Sequence, residues 1–136
     1  MKYLKQHISP KLTGSLVILL MISLVSWAWA YERRSSDANS VRFDVKPLQL
    51  DSGQQAKFQI RMNTHSADLG YDMLTVSILK DDQGREYQPL NWNGSPPGGH
   101  HRSGILEFPP IPKDSKVITL VLKTDPERIF EWKLGQ

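Results

Sequence analysis

The sequence predicts an all-β chain, and three observations carry that reading. After residue 30 the apolar residues recur with period two: Phe58, Ile60 and Met62 alternate with Lys57, Gln59 and Arg61. Ile118, Leu120 and Leu122 repeat the pattern. Turn residues return at short intervals, as at Asp51-Ser52-Gly53, Asp81-Asp82-Gln83-Gly84 and Thr124-Asp125-Pro126-Glu127. No stretch beyond residue 30 keeps a helical period over a useful length. About seven short antiparallel strands so punctuated imply an immunoglobulin- or fibronectin-like β-sandwich over residues 41–136. A cupredoxin-like barrel is the nearest competitor. The chain has no cysteine, so the disulfide-and-tryptophan signature of true immunoglobulin domains is absent and only the architecture is expected.

Residues 31–40 are polar and aperiodic and read as a linker. Val41, Phe43 and Val45 then alternate with Arg42, Asp44 and Lys46, a half-buried strand. Pro47 interrupts it, which suits an edge strand or a bulge. Gln55 to Asn63 is the clearest strand. Met73 to Lys80 follows, with Leu74, Val76 and Ile78 on one face, and Arg85 to Leu90 returns as its hairpin partner. Ile105 to Phe108 is a short strand, and the proline-rich run 109–114 is a rigid connection. Lys116 to Lys123 and Ile129 to Leu134 complete the domain, the last with Phe130, Trp132 and Leu134 inward.

Residues 1–30 have the composition of an export leader. Lys2, Lys5 and Lys11 precede the apolar run Leu16–Val25, and Ala28-Trp29-Ala30 fits a signal-peptidase site. The uncharged run from Leu12 to Tyr31 is also long enough for an uncleaved anchor helix, and Arg33 and Arg34 just after the site resist translocation. On either reading the domain is extracytoplasmic: periplasmic, secreted or membrane-anchored by its N-terminal helix. Membrane contact is then expected only through that segment. The chain carries 17 basic and 14 acidic residues; three of the lysines lie in the leader, so the remainder holds 14 of each. A net-zero domain has no electrostatic drive toward nucleic acid or anionic lipid. The lack of cysteine also excludes thiol redox chemistry and a thiolate metal site.

Function is expected in two polar breaks. One runs from Asn63 to Asp72 and holds His65; the other runs from Asn91 to Gly104 and holds His100 and His101. Too rich in Gly and Pro for a helix or a central strand, the second break reads as a long loop. Antiparallel strands alternate direction, so strand parity sends both breaks to one end of the sandwich, with Asp125 and Arg128 beside them. Loops gathered at one end of a rigid scaffold are a usual place for function.

His65, His100 and His101, with Asp68 and Asp72, are candidate ligands for copper or zinc. Adjacent residues of an extended chain point apart, so the favoured set is His65, one of the pair and a carboxylate. The alternative makes the same histidines polar loop residues and Arg102 one arm of an Arg–Asp brace. The Gly98-Gly99-His100-His101-Arg102 run can also be read as an anion nest. Trp92, Tyr71 and Arg102 are candidate contacts for a ligand or an envelope protein partner. Ser66 and Ser103 lie near histidines, but no nucleophile-elbow pattern accompanies them, and an enzyme is not expected.

The segments Asn63–Leu69, Trp92, Gly98–Phe108 and Glu127–Trp132 resemble a group of small exported prokaryotic proteins of unknown function. The resemblance spans roughly residues 41–134. It implies an exported β-domain with a shared site at these loops, and no particular activity. The expectation is therefore a non-enzymatic exported domain that binds a transition metal at its loops, or else an interaction or adhesion module of the envelope.

Overall fold

The period-two segments become strands, and two further strands join them. The computed structural model describes residues 31–135; the leader read over residues 1–30 lies outside the described residues. In chain order the elements are β1 (Arg34–Ala38), β2 (Val41–Gln49), β3 (Gln55–Thr64), a single helical turn α1 (Met73–Val76), β4 (Ser77–Asp81) and β5 (Glu86–Tyr87). They continue with β6 (Asn91–Gly94), β7 (His101–Pro110), β8 (Val117–Leu122) and β9 (Arg128–Lys133). One sheet has the order β1-β2-β3-β7-β6 and the other β5-β4-β8-β9, and every pairing is antiparallel.

The inward residues of both sheets share one core. Phe43, Val45, Phe58, Ile60, Met62, Leu106 and Phe108 come from the first sheet, and Leu79, Ile118, Leu120, Leu122, Phe130 and Trp132 from the second. Phe58 joins the layers, its ring 5.9 Å from Phe108 edge-on and 5.4 Å from Trp132. Each such side chain stabilises the fold by roughly 1.5–3 kcal/mol through burial, which is how a cysteine-free domain of this size holds together.

The expected linker is a correction. Residues 34–38 form β1, which pairs with Val41–Val45 of β2 through a two-residue hairpin. Asn39 and Ser40 both have positive φ, 48° and 62°, the combination of a type I′ turn. The sequence hides this turn because serine replaces the glycine that usually marks it. β1 is also held by the other sheet. From β9, Arg128 donates to the carbonyls of Ser36 (3.1 Å) and Ala38 (2.8 Å), and Trp132 Nε1 donates to Glu32 O (2.7 Å). These side chains thus tie the N-terminal strand and the residues before it to the second sheet. Pro47 sits at a register shift of β2 beyond the reach of β1, so its missing N–H costs no ladder bond.

Two other segments differ from the expected pattern. Met73–Val76 is a helical turn rather than strand, capped by Asp72, which accepts from Leu74 N (3.1 Å) and Thr75 Oγ1 (2.7 Å). The strand then starts at Ser77, so Ser77, Leu79 and Asp81, not Val76 and Ile78, take the register of the inward residues Leu122, Leu120 and Ile118. The second segment is His101–Gly104, expected in a loop. It opens the ten-residue strand β7, which lies between β3 and β6 inside its sheet.

Asp81 closes the pole where β4 turns into β5. Its carboxylate accepts from Gln83 N, Arg85 N, Arg85 Nε, Tyr87 Oη and Ser115 Oγ. Burial is the largest single influence and pushes this carboxyl up, but the bonds from Tyr87, Arg85 and Ser115 together outweigh it and hold Asp81 well below the usual range. The same burial and the bond to Asp81 push the Tyr87 phenol up to about 12.

Two outcomes follow. Ser40→Gly relieves the left-handed serine and should raise stability by about 0.5–1 kcal/mol in urea unfolding. Asp81 has a folded-state pKa below its unfolded value. Its contribution is therefore complete above the unfolded value of about 4 and is lost as pH falls below it. Asp81→Asn should lower stability at pH 7 by about 2–3 kcal/mol and show a shallower loss on acidification than the parent, measured by urea midpoints.

Candidate functional site

Strand directions decide which loops meet. β2 starts, β3 ends and β7 starts at one pole, as the register pairs Val41↔Thr64 and Asn63↔His101 require. Asn39 Nδ2 donates to Asp125 O (3.1 Å), which brings the β8–β9 turn to the same pole. β5 and β6 do not break the alternation. Both run toward this pole, β5 in one sheet and β6 in the other, so the chain changes sheet without reversing. The two polar breaks therefore converge as strand parity expects.

The convergence is a close brace. Leu69 N donates to Gly99 O (3.1 Å), Gly98 N to Leu69 O (2.9 Å) and Thr64 N to His100 O (3.0 Å). Asp68 Oδ1 accepts from Gly99 N (2.9 Å). Thr64 Oγ1 caps the start of the first loop, accepting from Ala67 N (3.0 Å) while donating to Ser40 O (2.7 Å). Gly98 and Gly99 have φ of 113° and 77°, a backbone that residues with side chains rarely adopt.

Arg102 is the centre of the brace. It is 3% exposed. Its guanidinium donates to Leu69 O (2.8 Å), Tyr71 O (2.7 Å) and Ser95 O (3.2 Å), one carbonyl set drawn from both loops. Burial pushes this group down from its ordinary value, while Asp72 and Asp68 pull it the other way. Neither comes within ion-pair distance, so the expected Arg–Asp bridge is replaced by bonds to backbone. The Trp92 ring lies over the guanidinium with its centroid 5.8 Å from Cζ, and its Nε1 donates to Ser95 O (2.9 Å). Gly104 leaves room for that ring: a Cβ there would stand 2.7 Å from it.

The expected site residues thus separate into two groups. Of the residues expected at a contact surface, Arg102 is buried, Trp92 is half-buried on it, and Tyr71, also half-buried, packs 5.6 Å from the Phe43 ring. Asp68 is taken up by Gly99 N and Asp72 by α1, the Thr75 hydroxyl and Leu74 N–H holding its carboxyl low. His65, His100 and His101 are exposed at the same pole. His101 Nδ1 is 2.8 Å from Asn63 Oδ1; that oxygen can only accept, so Nδ1 carries the proton. Among the described residues no three of His, Asp and Glu are placed to hold one metal ion.

Sequence reasoning missed the neighbouring surface. Because His101 begins a strand, it faces outward with Asn63, Arg61 and Ser103, and these residues with Ser95 and Arg102 line an open hollow of about 300 Å³. A second hollow, lined by Asp37, Ser40, Arg42, Asn63, Thr64, His65 and Ser66, adjoins it at Asn63. The alternation of β3 already placed Arg61 outward; what was hidden was the register that sets Ser103 and His101 beside it. Comparison with protein-family models, curated proteins and solved structures finds no match for the chain.

Arg102→Met should leave Tyr71 O without its donor, remove one of the two bonds to Leu69 O and to Ser95 O, and destabilise the fold by about 3 kcal/mol or more. Thermal unfolding should show a fall of at least about 12 °C, given about 4–8 °C per kcal/mol for a domain of this size. Arg102→Lys should recover only part of it, because an ammonium has no fork to span both loops.

Proposed function

We propose that the protein is an extracytoplasmic, non-enzymatic interaction module of the cell envelope, with an immunoglobulin-like β-sandwich as its scaffold. The order β2-β3-β7-β6 opposite β4-β8-β9 corresponds to the A-B-E-D and C-F-G sheets of that architecture, with β1 and β5 added at edges, and supports the assignment. One observation carries the functional reading. Arg102 and Asp68 tie the two loops together and Asp72 caps α1, so His65, His100 and His101 stand exposed on a fixed surface. A surface ordered in advance loses little entropy when a partner lands on it.

The orientation fits such a role. The described chain enters β1 at the pole opposite the loops, where Trp132 holds Glu32, so a leader or anchor directs the loops outward. The partner is an envelope protein that meets the pole at His65, Gly99 and His100. A second reading, binding of copper or zinc, is favoured by the shared position of His65 and the His100–His101 pair, whose segments touch through Thr64 N and His100 O. It ranks second because both candidate carboxylates are engaged in the brace and at α1.

A photo-crosslinking residue in place of His100 should give a discrete higher-mass adduct in the native envelope, whereas the same residue in place of Lys113, at the opposite pole, should give none. No adduct, or equal adducts at both positions, would contradict the interaction reading. Titration of the chain with Zn²⁺ or Cu²⁺ tests the second: micromolar binding lost in His65→Ala would favour it.

A further inference from the structure

The hollow on the outer face of the first sheet has two arginines in its lining and no acidic group. Arg61 is exposed and makes no ion pair with any described residue. Its cross-strand neighbour Asp44 is already occupied, accepting from Arg42 Nη2 (3.1 Å) and Nε (3.2 Å) and from Ser35 Oγ (2.5 Å). Beneath the strand, the buried charge of Arg102 is bonded to carbonyls, with Asp68 and Asp72 acting on it from beyond ion-pair distance.

The neutral donors complete the pattern. Asn63 Oδ1 is held by His101, which turns the Asn63 amide N–H pair to the other side of that group. The Ser103 hydroxyl makes no bond to a described residue, and the register sets Ser103 directly across from Arg61. A guanidinium fork, an amide and a hydroxyl on adjoining strands form a donor set for an oxyanion. We propose that this hollow binds a phosphate or sulfate group, free or esterified to a sugar. The assignment deepens the interaction reading by naming a ligand for its outer corner, yet stands on different residues.

The test is a titration of the chain with inorganic phosphate, inorganic sulfate and a sugar phosphate at constant ionic strength, followed by amide and guanidinium NMR shifts. Saturable shifts confined to Arg61, Asn63, His101 and Ser103 are expected with at least one of these probes. Arg61→Gln should weaken that binding by about tenfold or more, as loss of a charged hydrogen bond predicts. Lys123→Gln, which removes an exposed charge on the other sheet, should leave it unchanged. Shifts that stay linear for every probe, or binding equally weakened by both variants, would overturn the proposal. A His100 crosslink without oxyanion binding would remove this inference and leave the interaction reading standing.

Discussion

A buried guanidinium that bonds only to backbone is the constraint on which the loop pole depends. Loop carbonyls turned away from water need donors, and these loops have no regular ladder to supply them. Arg102 meets the need from the strand between them, giving hydrogen bonds to Leu69, Tyr71 and Ser95. Arg128 does the same at the opposite edge, holding Ser36, Ala38 and Val41 beside the ring of Phe43. The planar fork of arginine suits this, because one side chain reaches carbonyls on two segments without bending either. Both residues stand on strands, so the loops are fixed to the rigid part of the molecule.

Other features of the pole serve that arrangement. Trp92 covers the guanidinium, Gly104 admits Trp92, and Gly98-Gly99 lets the second loop fold onto Leu69. Asp72 turns the chain out of the first loop and into α1, and this changes which side of β4 faces the core. Rigidity here and openness on the adjoining sheet face have one cause. β7 sends Arg102 inward and His101 and Ser103 outward, so the same strand both ties the loops and builds the hollow.

Much of this was legible in the residues. Alternation in β2, β3, β8 and β9 identifies the strands and the inward residues, and direction parity brings His65 to the pole of His100. Three things were not legible, each for a physical reason. The Asn39-Ser40 turn lacks the glycine that announces left-handed backbone, so β1 looked like linker. β6 and the start of β7 contain Gly94 and Gly104, which usually weaken strands but here make room for an indole. Arg102 and Trp92 have the composition of a contact surface, and only the registers of β7 against β3 and of β6 against β7 set them on the core side of the sheet. Register also decides the hollow, since a shift by one residue would have turned Arg61 and Ser103 away from each other.

Hydrogen exchange of individual amides tests the account at its centre. If the loops are held as one body with the strands, the Leu69 and Gly98 amides, bonded across to Gly99 and Leu69, should be protected nearly as strongly as those of β3 and β7. Exchange of these two amides at the rate of an open loop, while the strand amides stay protected, would contradict it.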